Sequence, residues 1–158
     1  MASLFNLFCH NSSVNQKMTI EAAFEKYRTF LEGLTAEKLH HLTRYVAPDV
    51  SFRDPFHDIS GLARMQGIFQ KLFDKVKGTK FKIINHAING RVVFFQWELN
   101  GNLYGHSWII EGMTSITFNE EEKVTQHIEY WDAASQIYER FPVIGQLLRF
   151  FRRRISAT

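Results

Sequence analysis

The sequence is poor in the residues that staple or break a chain, with one cysteine, three prolines and nine glycines in 158 residues. The single Cys9 excludes an intramolecular disulfide and a zinc site built on cysteines, which is typical of a reducing compartment. Collagen-like and low-complexity chains are excluded as well. No run approaches the ~20 apolar residues of a membrane span. Because no basic residue precedes the short apolar stretch at the N-terminus, we expect no secretory signal and a cytoplasmic protein.

The excess of positive charge is small and local. The net charge is +3, and four arginines (Arg149, Arg152, Arg153 and Arg154) lie together near the C-terminus. A nucleic-acid partner would require basic residues spread over one face with aromatic residues between them, so we expect none. The phosphate-binding, serine-hydrolase and zinc-protease motifs are absent from the sequence. We therefore expect neither a cofactor nor a metal.

Aromatic residues, in contrast, are abundant. The chain has 15 Phe, and 45% of its residues are hydrophobic. So many large flat side chains either fill a core or line an apolar pocket. The length fits one domain.

Apolar residues recur at helical spacing in three segments of the first half of the chain. The predicted helices lie at 19–33, 35–48 and 61–78. Thr19 is a candidate cap of the first, and Gly33, Pro48 and Gly78 are the predicted ends. The first two helices should form a hairpin.

Strict alternation predicts strands at 49–55, 80–88, 91–99, 103–118 and 124–131. Asn89-Gly90 and Asn100-Gly101 are strong signals for hairpin turns, so these strands should be antiparallel neighbours. Gly105 and Gly112 predict bulges that bend the long strand. A helical tail at 133–154 should break at Phe141-Pro142. The predicted fold is α+β, with a strongly curved antiparallel sheet wrapped over N-terminal helices into a cone, and an additional C-terminal helix.

At several places the chain resembles the nuclear transport factor 2-like superfamily, in particular its SnoaL-like and ketosteroid isomerase-like branch. The residues that carry the resemblance are the stretch Phe52 to Pro55 after a helix hairpin, Gly61, the helix that ends at Gly78, and the pattern from Ile128 to Asp132. The resemblance covers about residues 20–132 and implies a cystatin-like, cone-shaped barrel. It divides the chain into an N-terminal extension (1–18), a SnoaL-like domain (19–132) and an amphipathic basic helix (133–158) packed on the domain or on a second subunit.

Asp54 is the first candidate for chemistry. If Val50 and Phe52 face the interior, the strand period places Asp54 on the same apolar face, where a carboxylate can act as a proton acceptor. The resemblance also places the general base of the isomerases at Asp54. The alternative is that an aspartate before Pro55 caps the next turn through its own backbone.

The donors that stabilise an oxyanion in the related isomerases are a tyrosine of the first helix and a protonated aspartate. Counting without gaps places Phe30 at the tyrosine position and Thr114 at the aspartate position. Tyr27 lies one turn before Phe30 and could take the tyrosine role only if the hairpin carries an insertion. A steroid isomerase in the strict sense is therefore not indicated.

Two histidines are further candidates. Alternation places His106 on the face of Trp108, and His127 on the face of Glu129 and Trp131. Either could act as a general acid, as a donor to a ligand carbonyl, or as a second base beside an aspartate; the alternatives are a structural or a solvent-facing histidine. The expected ligand-binding residues are Tyr27, Phe30, Phe52, Phe56, Trp97, Trp108, Thr114, Glu129, Trp131 and Asp132.

These residues support two functional hypotheses. In the first, the protein is a SnoaL-like small-molecule binder, an isomerase or cyclase that moves a proton on an apolar carbonyl compound with Asp54 as the base. In the second, the same cone is a ligand-binding or protein-interaction module without catalysis, and its cavity should be shallow or plugged. His57 and Asp58 lie either at the mouth of the pocket or in an ordinary polar loop.

The partners expected besides a small apolar molecule are a second subunit and, less favoured, a membrane. The resemblance implies a homodimer through the outer face of the sheet. The C-terminal segment is amphipathic and basic, which suits an anionic membrane surface, but we favour docking on the domain or on a second subunit. Arginines at a helix C-terminus also complement the helix dipole.

Overall fold

The computed structural model describes residues 20–103 and 105–155. In chain order the elements are helix α1 (20–32), a 3₁₀ helix (Ala36–Arg44), β1 (Val46–Arg53), β2 (Asp58–Ser60), α2 (Leu62–Lys75), β3 (Val76–Asn89), β4 (Val92–Leu103), β5 (His106–Phe118), β6 (Val124–Tyr130), α3 (Ala133–Gln136), a 3₁₀ turn (Tyr138–Arg140) and α4 (Pro142–Ile155). The predicted Thr19 cap, the extension 1–18 and Tyr104 lie outside the described residues.

The strands form one six-stranded sheet in the order β2-β1-β6-β5-β4-β3. Strands β3 to β6 pair antiparallel along the chain, as do β1 and β2. The predicted α+β fold, with a curved sheet over helices and an additional C-terminal helix, is confirmed. The sheet is not purely antiparallel, because β1 joins β6 in parallel.

The core lies between the helices and the inner face of the sheet. The predicted stripe of α1 is buried, with Phe24 and Tyr27 fully enclosed. They pack with inward residues of the strands, including Phe52, Ile83 and Phe95. Each such side chain stabilises the fold by about 1.5–3 kcal/mol through burial alone. This packing fixes α1 across the sheet.

The second helix ends earlier in the structure than the sequence predicted. It is a 3₁₀ helix that stops at Arg44, and β1 begins at Val46. Pro48 therefore lies inside a strand, where the register between β1 and β6 shifts between Val46 and Ser51. Proline cannot donate an N–H to the ladder, and it is tolerated there because the pairing is irregular at that place.

Of the two predicted turns, one is confirmed and one is wrong. The hairpin at Asn89-Gly90 is present, with Asn89 paired to Val92 and Gly90 at φ +61°. Asn100 and Gly101 continue β4 instead, and the next reversal precedes His106. Gly78 likewise lies within β3 and does not end α2.

The predicted bulge at Gly112 is also wrong. Strands β4 and β5 pair without a register shift from Val92↔Thr117 to Leu103↔His106. The irregularities fall in β3, before Lys80 and before Asn85, and near the end of β5. The predicted break at Pro142 is confirmed, since α4 begins there. None of the helices in the described part of the chain has the length and apolar character needed to cross a bilayer.

Candidate functional site

A cavity of about 430 Å³ lies between the inner face of the sheet and helix α2. Its walls are mostly aromatic and aliphatic. They come from the end of α1, from α2, from the inward positions of the strands and from the segment after β6: Leu31, Leu34, Phe52, Phe56, Ile68, Phe69, Leu72, Phe73, Val76, Phe81, Trp97, Leu99, Leu103, Trp108, Ile110, Trp131, Ile137 and Phe141. The polar lining includes two acids and two histidines, Asp54, His57, His127 and Glu129.

Two of these groups, His127 and Glu129, form a largely buried chain of hydrogen bonds with Tyr27 of α1. The hydroxyl of Tyr27 lies 3.1 Å from Nδ1 of His127, and Nε2 of His127 lies 3.2 Å from Oε1 of Glu129. In the neutral tautomer with the proton on Nε2, Tyr27 donates to His127 and His127 donates to Glu129. The chain exists because α1 buries Tyr27, while the strand period brings residues 127 and 129 to one face of β6.

This hydrogen-bonded chain lies in an apolar setting. Tyr27 and His127 are buried, and the Glu129 side chain is 18% exposed. The His127 ring contacts the rings of Phe52 and Phe95, with centroids 5.4 and 6.4 Å apart. Burial raises the pKa of Tyr27 far above its usual range, and the negative charge of Glu129 adds to this effect. Tyr27 therefore stays protonated and acts as a hydrogen-bond donor.

Asp54 forms a second polar pair with His57. Nδ1 of His57 lies 3.0 Å from both carboxylate oxygens of Asp54. Oδ1 of Asp54 also accepts the backbone N–H groups of Phe56 and His57, at 2.7 and 2.6 Å. Asp54 caps the turn after Pro55, as the alternative interpretation predicted, and it also lines the cavity.

Eight of the predicted site residues line the cavity: Phe52, Asp54, Phe56, Trp97, Trp108, His127, Glu129 and Trp131. Tyr27 does not line it but touches His127, which does. His106 is exposed at the start of β5 and is not among the lining residues, although its partner on β4, Leu103, lines the cavity.

The remaining three predicted residues also lie outside the lining. Phe30 stacks on Tyr45, with ring centroids 4.6 Å apart. Thr114 is buried and accepts the Nε1–H of Trp97 at 2.8 Å. Asp132 is exposed and caps α3 by accepting the backbone N–H groups of residues 134 and 135. The hydroxyl of Ser135, together with these N–H groups, lowers the pKa of Asp132.

Two parts of the site were missed by sequence reasoning. The first is the pairing of His57 with Asp54, for which the spacing of three residues across Pro55 was an available signal. The second is the wall formed by α2 and by Ile137 and Phe141. Helical periodicity predicted that α2 has an apolar side, but periodicity cannot tell a core side from a cavity wall.

Comparison with known proteins gives one family. The family model of the SnoaL-like domain matches residues 27–127, more than half of the chain. A search of curated proteins found no match.

Solved structures share the fold at low sequence identity. An LEH-like epoxide hydrolase of M. tuberculosis is 15% identical with a TM-score of 0.59, and the alignment covers 87% of this chain and 95% of that one. A steroid delta-isomerase of Pseudomonas aeruginosa is 16% identical with a TM-score of 0.55, over 87% and 95%. A candidate SnoaL-like polyketide cyclase of Jannaschia sp. CCS1 is 16% identical with a TM-score of 0.62, over 77% and 88%. At these identities the likeness concerns the fold.

Proposed function

The chain belongs to the SnoaL-like domain family, and we propose that it binds a small apolar carbonyl compound in its cavity and moves a proton on it. A cavity of about 430 Å³ with mostly apolar walls suits a ligand of two or three fused rings or a comparable chain. The family fold hosts unrelated activities, so the proposal depends on the polar groups of this particular cavity.

The observation that carries the proposal is the position of Glu129. One of its oxygens, Oε1, accepts from His127, and within the described residues Oε2 makes no hydrogen bond. Glu129 therefore presents a carboxylate oxygen to a ligand inside an apolar wall. A carboxylate that lines an apolar cavity and has an oxygen not engaged by the described residues can act as a general base.

The proposed step balances within the ligand. Glu129 removes a proton from the carbon beside the carbonyl group, the electron pair moves to the carbonyl oxygen, and the proton returns at another carbon of the ligand. With both ring nitrogens protonated, His57 donates its Nδ1–H to Asp54 and has its Nε2–H left for the developing oxyanion. Asp54, the expected base, is assigned here the role of orienting His57, because donors converge on its Oδ1.

The test follows the exchange of α-hydrogens of 2-tetralone, a bicyclic ketone, with solvent deuterium by NMR. We expect the native protein to accelerate exchange over buffer, and Glu129→Gln to lower that acceleration by about 100-fold, within the usual contribution of a general base. Glu111→Gln is the matched control, since it removes the same charge from an exposed position of β5 outside the cavity. Equal rates for the native protein and Glu129→Gln would refute the assignment of the base.

Binding of 2-tetralone, followed by quenching of the tryptophans that line the cavity, separates the two hypotheses. If the native protein binds the ketone without accelerating exchange, it is a binding module without this chemistry. That alternative is favoured by one observation, the absence from the lining of the residues at the oxyanion positions, Phe30 and Thr114. Leu99→Trp, which places an indole in the cavity, should abolish binding under either hypothesis.

We also propose a homodimer through the outer face of the sheet. Large apolar side chains are exposed there on four neighbouring strands: Ile84, Phe94, Ile109, Met113 and Tyr130. Several large apolar side chains exposed on neighbouring strands of one sheet support an interface at this face. Light scattering should therefore give twice the mass of 18.5 kDa, and Met113→Lys should give the monomer mass. A monomer mass for the native chain would refute the dimer.

A further inference from the structure

Helix α4 (Pro142–Ile155) turns its apolar side away from the rest of the described structure. Residues three and four positions apart share one side of a helix, and on α4 these include Val143, Leu147 and Phe150. Val143 and Ile155 are more than 80% exposed, and the others are about half exposed. The complete exposed set is Val143, Ile144, Leu147, Phe150, Phe151 and Ile155. We call these six residues the outer face of α4.

The opposite side of α4 is the one that packs, and its contacts fix this orientation. Gly145 is the one buried residue of α4, and it lies against the carbonyl of Glu139 with no room for a side chain. Arg149 donates to that carbonyl at 2.8 Å, and Arg152 donates to the Glu139 carboxylate at 2.8 Å. An amphipathic helix that docked on its own domain would bury its apolar side instead. Helix α4 therefore packs against Glu139 through its polar side and leaves its apolar side uncovered by the described residues.

From this geometry we propose that α4 binds an anionic lipid surface, lying in its plane with the outer face in the headgroup region. The segment Pro142–Ile155 has no acidic residue and four arginines, of which Arg149 and Arg152 are bonded to Glu139 and Arg153 and Arg154 are not. Apolar area combined with positive charge is what an interfacial helix needs. A helix of 14 residues is about 21 Å long, shorter than the ~30 Å core of a bilayer, so it lies on the membrane and does not cross it.

The alternative occupant, α4 of a second copy, fits the same face less well. Arg154 lies beside the outer face, with its guanidinium 4.7 Å from the centre of the Phe150 ring. In a dry interface between two copies this charge would be buried without a partner, which is costly. At a lipid surface the same side chain reaches the headgroup phosphates while its stem stays among apolar groups. Charge complementarity therefore favours lipid.

The location of α4 also connects the membrane to the cavity. Ile137 and Phe141, in the segment that leads into α4, line the cavity. A protein held by α4 would have this wall of the cavity near the lipid surface. An apolar ligand dissolved in the membrane would then have a short path to the site, but lipid binding by α4 does not depend on that ligand or on the proposed reaction.

The test is co-sedimentation of the full chain with vesicles of 70% phosphatidylcholine and 30% phosphatidylglycerol, beside vesicles of phosphatidylcholine alone. We expect binding to the anionic vesicles that weakens as salt is raised. Replacing Arg153 and Arg154 by Gln should weaken it roughly thirtyfold, at the usual contribution per basic residue near a lipid surface. Leu147→Gln, which removes apolar contact from the outer face, should weaken it as well.

A matched control makes the result specific to α4. Lys80→Gln with Lys82→Gln removes the same charge from exposed positions of β3. This control should bind vesicles like the native chain. Absence of binding to anionic vesicles, or equal losses in the α4 variants and the control, would overturn the proposal. So would light scattering that shows Leu147→Gln converting a dimer to a monomer without lipid.

Discussion

Replacing Gly112 by alanine is expected to destabilise the fold by about 2 kcal/mol, in the range of core overpacking, and to weaken binding of 2-tetralone. A Cβ at residue 112 would lie 2.5 Å from Cζ2 of Trp97 and 2.9 Å from two other atoms of the same ring. The indole cannot turn freely, because its Nε1–H is bonded to Thr114 at 2.8 Å. It would be pushed toward the cavity that it lines. Urea unfolding measures the loss of stability.

The matched control is Gly67→Ala in α2. Gly67 is an exposed helical glycine with open space around its Cα, so alanine should stabilise the protein by up to about 1 kcal/mol through helix propensity. The same substitution should therefore lower the stability of the protein at Gly112 and raise it at Gly67. Equal stability of Gly112→Ala and the native chain would mean that Trp97 does not lie against β5 as described.

The elements of the fold that sequence reasoning predicted are those with a strong period. The buried stripe of α1 and the alternation of β4 and β5 each leave only one arrangement that buries their apolar residues. The parallel pairing of β1 with β6 could not be predicted from the sequence. Alternation indicates which face of a strand is buried, but it does not indicate which strand is the neighbour.

Glycine positions were the least reliable predictors of turns and bulges, because glycine also occurs where two segments pack closely together. A side chain at Gly101 would collide with Val76 across the β3–β4 pair, so this glycine lets two strands approach within the sheet. Asn100-Gly101 nevertheless looks like a hairpin turn in the sequence. Gly112 is the same case, with Trp97 in place of Val76. Without the partner strand, a packing glycine and a turn glycine look alike.

The candidate site was predicted in part for a similar reason. The strand period brought His127 and Glu129 together and placed Asp54 on the inner face, and all three line the cavity. His106 had the correct parity, but it lies too close to the strand end to reach the interior. Tyr27 meets His127 across 100 positions of sequence, a contact that depends on how α1 crosses the sheet. The hydrophobic periodicity of a single helix or strand does not specify how two elements cross.

That long-range contact is the basis of the second prediction, in which Tyr27→Phe should destabilise the fold by about 1–3 kcal/mol. Phenylalanine keeps the ring and removes only the hydroxyl, so Nδ1 of the buried His127 loses the partner at 3.1 Å. We also expect slower exchange of 2-tetralone α-hydrogens with an unchanged affinity for the ketone, because Tyr27 acts through His127 on Glu129 and does not line the cavity. Tyr27 is thus a positioning residue.

The matched control for this prediction is Tyr45→Phe, since the ring of Tyr45 packs on Phe30 and its hydroxyl makes no hydrogen bond among residues 20–103 and 105–155. Its cost should stay within about 0.5 kcal/mol. A double-mutant cycle of Tyr27→Phe with His127→Leu should then give a coupling energy of about 1 kcal/mol or more, as expected for two side chains in one network. Equal costs for the two tyrosine variants, with no coupling to His127, would show that the hydrogen bond is absent in solution and that Glu129 acts without support from α1.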